Sequence, residues 1–210
     1  MSTPNPWMVV PASDYERRMG PEGLDQLGTL ASLFQEAVLA TQPDRVLVLG
    51  CATGNGVEAI DPGVTKRVVG VDVNLQYLGV ARQRFFHLGT RLELYCSDAE
   101  KFRSAPASFD LVSAALIFEY ASPAVLVPRI AEWLAPNGTC AVVLQRPGGE
   151  APPPPSKAMA IIEKAARAVD PVELTALFGK SGFVARRART VPLKGGKSFW
   201  TALFSRPAAK

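Results

Sequence analysis

Two kinds of apolar pattern alternate along this chain and predict strands and helices in turn. Residues 46–49 carry no polar side chain on either face, which is typical of a strand buried on both sides within a parallel sheet. Residues 24–38 place apolar side chains at helical spacing, and we expect this helix to begin near Pro21, because proline suits a first helical turn. The alternation favours an α/β domain.

Further strands and helices follow the same patterns. The pattern predicts strands at residues 66–72, 91–97, 139–145, 183–189 and 198–205. Residues 108–118 are predicted to be the fourth strand and the start of the loop after it. It predicts helices at residues 75–88, after Ser122-Pro123, at 157–169 and at 170–179. Residues 91–97 alternate between apolar and polar positions, as a strand toward the edge of a sheet does.

Proline marks the segments that we expect to lie outside the regular elements. Residues 1–12 contain three prolines and no periodicity, so residues 1–20 are predicted to be an N-terminal arm and residues 21–210 the domain itself. Residues 146–155 are too rich in proline and glycine for a helix or a ladder. We therefore predict an inserted loop and helix at about residues 147–169, within the domain.

Three glycines follow the first strand at once and indicate a nucleotide-type site. Gly50, Gly54 and Gly56 have no Cβ, so the backbone can turn sharply and a large ligand can lie against it. The amides that open the next helix would then point outward as donors.

The spacing of these glycines fits the known nucleotide motifs unequally. A dinucleotide fingerprint started at Gly50 fails at Asn55, whereas one started at Gly54 fits Gly56 and Ala59 but leaves four extra residues after the strand. No Gly-Lys-Ser/Thr follows, so a P-loop is excluded. An NAD-dependent dehydrogenase stays open as an alternative.

Read as Gly-x-x-x-Gly-x-Gly, the stretch resembles motif I of the class I S-adenosylmethionine-dependent methyltransferases, of the small-molecule type 11/12 kind. Val48 stands where that family usually has an acidic residue, and Ala52 where it usually has glycine. Phe109-Asp-Leu-Val and Trp133-Leu-Ala-Pro-Asn-Gly follow in the family's order. The resemblance and the strand pattern together imply one doubly wound, Rossmann-like domain with a seven-stranded, mostly parallel sheet and an antiparallel last strand.

Two aspartates end predicted strands and are candidates for holding a nucleoside. Asp72 lies 22 residues after Gly50, close to the spacing at which an acidic residue accepts the ribose hydroxyls. As a turn cap it is less well placed than Asn74. Asp98 matches the position that receives the adenine amino group in the resembled family, and Ala99 would supply a backbone donor. Asp98 could instead cap the turn at residues 99–102.

The resemblance implies S-adenosyl-L-methionine as the cofactor. The residues that it places around this cofactor are Gly50, Cys51, Ala52, Asn55, Asp72, Val73, Asp98, Ala99 and Ala115.

The methyl acceptor would lie near the loop after the fourth strand and the segment ahead of motif I. Glu119 is the best-placed carboxylate if a general base is used, with Tyr120 and Tyr15 as orienting groups. Glu119 could equally cap the following helix, and Tyr15 could be a surface tyrosine. Asp110 is interpreted as structural. The loop lacks the Asn/Asp-Pro-Pro-aromatic tetrad, which disfavours methylation of nucleobases or glutamine.

Composition narrows the remaining classes of function. The chain has 210 residues, 48% of them hydrophobic, and no apolar run of the ~18 residues that a membrane span needs, so we expect one globular domain. The N-terminus has no secretory pattern, and a cytoplasmic location is expected. Cys51, Cys96 and Cys140 are far apart and are interpreted as buried reduced thiols, and with a single histidine, His87, no metal site is expected.

The expected partner is a small-molecule methyl acceptor. The net charge of +4 is mild, and the basic cluster Arg186, Arg187, Arg189, Lys194 and Lys197 is interpreted as solvated surface, so nucleic acid is disfavoured. Orientation alone can drive methyl transfer, so the acceptor atom stays open between O, N, S and C. A non-catalytic S-adenosylmethionine-binding protein is the third hypothesis, because of Val48. A monomer and a homodimer are both compatible with the sequence.

Overall fold

The computed structural model describes residues 5–150 and 153–207. Its strands form one sheet of seven. They are β1 (Arg45–Leu49), β2 (Arg67–Asp72), β3 (Leu92–Cys96), β4 (Phe109–Ala115), β5 (Leu134–Arg146), β6 (Val184–Pro192) and β7 (Ser198–Ser205).

The sheet order is β3-β2-β1-β4-β5-β7-β6. β1 pairs in parallel with β2 and β4, β2 with β3, and β4 with β5, whereas β7 runs antiparallel to both β5 and β6. The predicted fold class is therefore confirmed, including the single antiparallel last strand and the edge position of β3. The strand order reverses beside β1, and in open α/β sheets ligands bind outside the carboxyl ends of the strands at such a point.

Six α-helices accompany the sheet in the described part of the chain. They are α1 (Ala12–Met19), α2 (Leu27–Thr41), α3 (Leu75–Arg84), α4 (Pro123–Trp133), α5 (Lys157–Ala165) and α6 (Pro171–Lys180). Successive residues of β1 face opposite sides, so Val46 and Val48 pack with α2 and α3 while Leu47 and Leu49 pack with α4 and α6. β1 is apolar on both faces because helices cover both faces of the sheet.

The predicted helix start near Pro21 is wrong. α2 begins at Leu27, and the separate helix α1 forms within the predicted arm. α1 is short and rich in charge, and its buried apolar side chains are those of Tyr15 and Met19, so the periodicity is too brief to predict a helix.

The N-terminal arm is held against the start of α3. The Asn74 side-chain amide donates hydrogen bonds to the backbone oxygens of Trp7 (2.9 Å) and Val10 (2.8 Å). Asn74 also caps α3 by accepting from the Gln76 amide, as its position predicted. Residues 1–4 of the predicted arm lie outside the described residues.

The helix caps and element ends agree with the sequence pattern only in part. Asp170 caps α6 by accepting from the Val172 amide at 2.8 Å, but the Ser122 side chain makes no capping bond to α4. The Ser122 amide donates to Glu100 instead, at 2.6 Å. β5 begins at Leu134, before the predicted residue 139, and α5 ends at Ala165, before the predicted residue 169. Residues 151–152 of the predicted loop lie outside the described ones.

The three cysteines do not share one environment. Cys51 and Cys140 are buried free thiols, as expected, but Cys96 is exposed at the end of the edge strand β3, so the expectation of burial is wrong there. Within residues 5–150 and 153–207, no helix has the length and apolar character that crossing a membrane requires.

Gly54 is required by packing, and its replacement is expected to destabilise the fold. Its φ is +89°, and a Cβ there would lie 2.5 Å from Phe85 Cε2. We expect Gly54→Ala to cost about 2–4 kcal/mol of unfolding free energy, measured by urea denaturation. Gly79→Ala is the matched control, because Gly79 lies within α3 with open space around its Cβ position, so it should be neutral or slightly stabilising. Equal losses in both variants would contradict this account.

Candidate functional site

A cavity of about 410 Å³ opens at the carboxyl ends of β1, β2 and β4. All twelve of the site residues predicted from the sequence line it: Tyr15, Gly50, Cys51, Ala52, Asn55, Asp72, Val73, Asp98, Ala99, Ala115, Glu119 and Tyr120. Parallel strands present their carboxyl ends at one edge, so residues far apart in the chain meet there.

The glycine turn serves the cavity less directly than predicted. Gly50 lines the cavity with φ +65°, but Gly54 and Gly56 contact the side chains of Phe85 and Phe34. Only a three-residue 3-10 helix follows the turn, at Val57–Ala59. The expectation that all three glycines and a helix N-terminus would face a ligand is therefore wrong, because protein side chains fill the second half of the turn.

Asp72 holds the first half of the turn in place. Its Oδ2 accepts a hydrogen bond from the Ala52 amide at 2.9 Å, and its Oδ1 accepts from the Asn74 amide at 2.8 Å. Burial raises the pKa of Asp72, and these backbone N–H groups oppose that rise. A carboxylate offers about four acceptor positions, so Asp72 keeps capacity for a further donor in the cavity.

Ala52 occupies a conformation that favours glycine. Its φ is +46°, in the left-handed region, which costs a residue with a Cβ about 1–2 kcal/mol. The bond from its amide to Asp72 helps to hold this conformation. The departure from the motif I glycine is thus accommodated by the backbone.

Asp98 caps the turn at residues 99–102 and is also part of the cavity wall. Its Oδ1 accepts from the Glu100 amide at 2.8 Å, and its carbonyl accepts from the amides of Lys101 and Phe102, so it does cap the turn. It also lines the cavity, with Ala99 beside it. Capping uses Oδ1, and Oδ2 receives no hydrogen bond from the described residues.

Glu119 is a buried carboxylate with one oxygen unpaired. Its Oε1 accepts from the Gln145 amide at 2.7 Å, while Oε2 has no hydrogen-bond partner in the described chain, and the residue is 5% exposed. Burial raises the pKa of Glu119 to about 7, against a smaller lowering by the Gln145 amide. Glu119 does not cap α4, so that alternative is wrong: its hydrogen bond goes to β5 instead.

Aromatic side chains from three segments form one wall of the cavity. The Trp7 ring lies edge-on to Tyr120 with centroids 5.1 Å apart and 6.3 Å from Tyr15, and Tyr15 lies 5.2 Å from Tyr77. Tyr15 is buried, so the surface interpretation is wrong. Burial, and next the charge of Asp72, raise the pKa of Tyr15 well above its usual range, so this phenol stays neutral. It is suited to donating a hydrogen bond.

Two ion pairs fix the N-terminal segment over the cavity. Arg18, which is 5% exposed, donates from Nε to Glu163 Oε1 of α5 at 2.6 Å. Arg84 lies 3.2 Å from Glu16 Oε1, which also accepts from the Thr53 hydroxyl of the glycine turn. α1 thereby joins the inserted helix to the turn.

The remaining predicted residues have mainly structural contacts. Asn55 donates to the Leu27 carbonyl at 3.1 Å. Burial raises the pKa of Cys51, so it stays a neutral thiol. Asp110 lies at the start of β4, where it accepts from the Arg45 amide (2.9 Å) and guanidinium, in agreement with its structural interpretation.

Several lining residues were not singled out as site residues from the sequence. They are Trp7, Met19, Gln26, Tyr77, Gln145, Met159, Glu163 and Lys197. Trp7 and Lys197 lie in segments interpreted as an arm and as solvated surface, and only their tertiary packing brings them to the cavity. Tyr77 does carry a signal, because it follows the Asp72 strand on the first turn of α3.

Residues 46–138 match the model of a protein family described as a methyltransferase domain. This part of the chain is therefore similar to a methyltransferase domain. The matched segment runs from β1 into β5 and contains Asp72, Asp98 and Glu119. The resemblance seen in the sequence is confirmed.

A curated methyltransferase also matches part of the chain. The chain is 32% identical over 96 residues to the ubiquinone biosynthesis O-methyltransferase of Aromatoleum aromaticum, a match that covers 45% of this chain and 41% of that protein. The chain thus spans about two fifths of the curated relative that it matches.

Solved structures of low sequence identity share the fold of this chain. The N-methyltransferase NodS of Bradyrhizobium japonicum, in complex with S-adenosyl-L-homocysteine, matches with a TM-score of 0.69 at 16% identity, over 98% of this chain and 94% of that one. A methyltransferase of Mesorhizobium loti gives 0.70 at 18%, over 88% and 100%. The [4+2]-cyclase SpnF gives 0.69 at 17%, over 86% and 82%. At these identities the likeness establishes the fold.

Proposed function

We propose that this protein is an S-adenosylmethionine-dependent methyltransferase that acts on a small-molecule acceptor. The observation that carries the proposal is one cavity that collects Gly50, Asp72, Asp98 and the unpaired carboxylate oxygen of Glu119 within a methyltransferase domain. Such a site has both a place for a nucleoside and a group that can receive a proton.

The residues present fit the cofactor. Asp72 keeps acceptor capacity for ribose hydroxyls, Asp98 Oδ2 can accept from the adenine amino group, and the backbone at Gly50 can approach a ligand closely. Val48 supplies only an apolar surface where the family usually has a carboxylate, so Asp72 carries more of the polar recognition here.

The cavity divides along the sheet into two sides. β1, β2 and β3 lead to Gly50, Asp72 and Asp98, which we assign to the nucleoside. β4 and β5 lead to Glu119 and Gln145, which we assign to the acceptor side. Each side thus has its own set of polar groups.

Glu119 is proposed to receive the acceptor's proton. S-adenosylmethionine supplies a methyl group on a positively charged sulfur, so the acceptor's lone pair forms the new bond while the carbon–sulfur electron pair stays with sulfur. Glu119 Oε2 is free to take the proton of an acceptor O–H or N–H group, and a pKa near 7 suits a base at neutral pH. The neutral Tyr15 and Tyr120 would orient the acceptor.

The geometry does not favour the dehydrogenase alternative. The dinucleotide register needs Gly54 and Gly56 to approach a pyrophosphate, but their Cβ positions contact Phe85 and Phe34. The comparisons also give no support to the dehydrogenase or to the non-catalytic alternative. The [4+2]-cyclase SpnF shows that this fold is compatible with reactions other than methyl transfer.

A transfer assay tests the proposal. The purified protein is incubated with methyl-labelled S-adenosylmethionine and separate panels of phenols, amines, thiols and carboxylic acids. We expect the label to appear in the product of one panel, and the chemical class of that panel then identifies the acceptor atom. Cofactor binding without label in any panel would favour the non-catalytic alternative. The cytoplasmic location and the oligomeric state stay predictions.

A further inference from the structure

Lys197 belongs to the cavity and not to the solvated basic cluster in which the sequence placed it. It is partly buried just before β7, and it is the only lysine or arginine among the cavity-lining residues of the described chain. Arg186, Arg187 and Arg189 are exposed on the edge strand β6. Lys197 therefore needs an explanation of its own.

The position of Lys197 places it on the acceptor side. β7 runs antiparallel to β5, and Ser198 pairs with Arg146 at the carboxyl end of β5, next to Gln145. β2 and β7 are four strands apart, so with strands about 4.8 Å apart Lys197 enters the cavity roughly 19 Å along the sheet from the Asp72 strand. An anion there would be separate from the nucleoside.

The charge of Lys197 has no carboxylate partner within ion-pair distance in the described residues. The charges that act on Lys197 are those of Arg18 and Glu163, and these two are bound to each other at 2.6 Å. Burial, and next the positive charge of Arg18, lower the pKa of Lys197, and Glu163 offsets only part of this effect. An anionic ligand bound to Lys197 would offset both the cost of burying its charge and the repulsion from Arg18.

The cavity that Lys197 lines also has an apolar and aromatic wall. Trp7 and Tyr120 lie edge to face, and Met159 of α5 lines the same cavity. Such surfaces bind the flat apolar body of a ligand, while a single charged group fixes its orientation.

We propose that the methyl acceptor is a small planar acid whose anionic group binds Lys197 while its apolar body lies against Trp7 and Tyr120. This inference rests on the proposed function, because it assigns the acceptor side of that site. Lys197 is then a specificity-determining residue, and Glu119 faces the nucleophile that the bound anion positions.

Matched probes with and without charge test this inference. The three isomeric hydroxybenzoates and the three hydroxybenzamides are titrated, by calorimetry, into the protein saturated with S-adenosyl-L-homocysteine. We expect at least one acid to bind about tenfold or more tightly than its amide, since a charge-assisted hydrogen bond is stronger than a neutral one. Lys197→Met should abolish that preference and Lys197→Arg should keep most of it.

A nearby lysine provides the control. Lys194 is 77% exposed and lies outside the cavity lining, so Lys194→Met should bind the acids as the unaltered protein does. Equal binding of acid and amide, no binding of either, or a preference that survives in Lys197→Met would overturn the inference. The affinity for S-adenosyl-L-homocysteine, measured first in every variant, reports on the proposed function separately, because Lys197 is not assigned to the nucleoside.

Discussion

Replacing Glu119 by glutamine is expected to lower the rate of methyl transfer by about 10²–10⁴-fold, the usual contribution of a general base. Glutamine keeps the oxygen that accepts from the Gln145 amide at 2.7 Å, so the loop after β4 should keep its position. What it removes is the proton acceptor at Oε2. The measurement is kcat at saturating cofactor and acceptor, with affinity for S-adenosyl-L-homocysteine changed by less than about threefold.

The same variant should be more stable than the unaltered protein at high pH. Burial raises the pKa of Glu119 from 4.5 to about 7, so the folded state holds this proton more tightly than the unfolded state does. The contribution of Glu119 to the free energy of unfolding is fully present below pH 4.5. It is lost as the pH rises through 7, by up to about 3 kcal/mol. Glu119→Gln should therefore unfold several degrees higher than the unaltered protein at pH 8, and at nearly the same temperature at pH 4.5.

The pH dependence of the transfer rate is a second test of Glu119 as the base. The unaltered enzyme should gain rate as the pH rises to about 7, because Glu119 must be ionised to accept a proton, and the variant should lack that rise. Glu132→Gln, an exposed position on α4, is the matched control and should leave rate and profile unchanged. A variant at Glu119 with normal rate would remove the base from the proposal.

Replacing Asp72 by alanine is expected to weaken binding of S-adenosyl-L-homocysteine by about 100-fold. A charge-assisted hydrogen bond contributes about 1.5–3 kcal/mol, and the variant also releases the Ala52 amide, which Asp72 holds at 2.9 Å, so the glycine turn loses its fixed shape. Calorimetric titration of both proteins measures the difference.

Asp110→Ala is the control for that titration. Asp110 also lies in a central strand, β4, but its carboxylate pairs with the Arg45 guanidinium at 2.7 Å, at the end of the sheet opposite the cavity. Its loss should lower the unfolding temperature and leave the affinity for S-adenosyl-L-homocysteine unchanged. If Asp72→Ala, shown to be folded, binds as tightly as the unaltered protein, the ribose assignment is wrong.

The fold was predictable from the sequence because the sheet is buried on both faces. β1 reads as a pure apolar run, and the strand boundaries of β2 and β7 follow from the pattern almost to the residue. α1 was missed, because eight residues with two buried apolar side chains give too short a period. Its position depends on Arg18 and Glu163, which are 145 residues apart.

The nucleoside side of the site was predictable and much of the acceptor side was not. Asp72 ends β2 and Asp98 lies two residues after β3, so their convergence follows from parallel pairing. Lys197 reaches the cavity only because β7 runs antiparallel and returns its first residue to the end of β5. The packing of Gly54 against Phe85 likewise depends on where the chain after α3 turns, which local spacing does not encode.

The most direct test of the central claim is a pair of calorimetric titrations of the unaltered protein, one with S-adenosyl-L-homocysteine and one with NADH. The account predicts that S-adenosyl-L-homocysteine binds with one site per chain and that NADH gives no heat of binding. Binding of NADH without binding of S-adenosyl-L-homocysteine would contradict it.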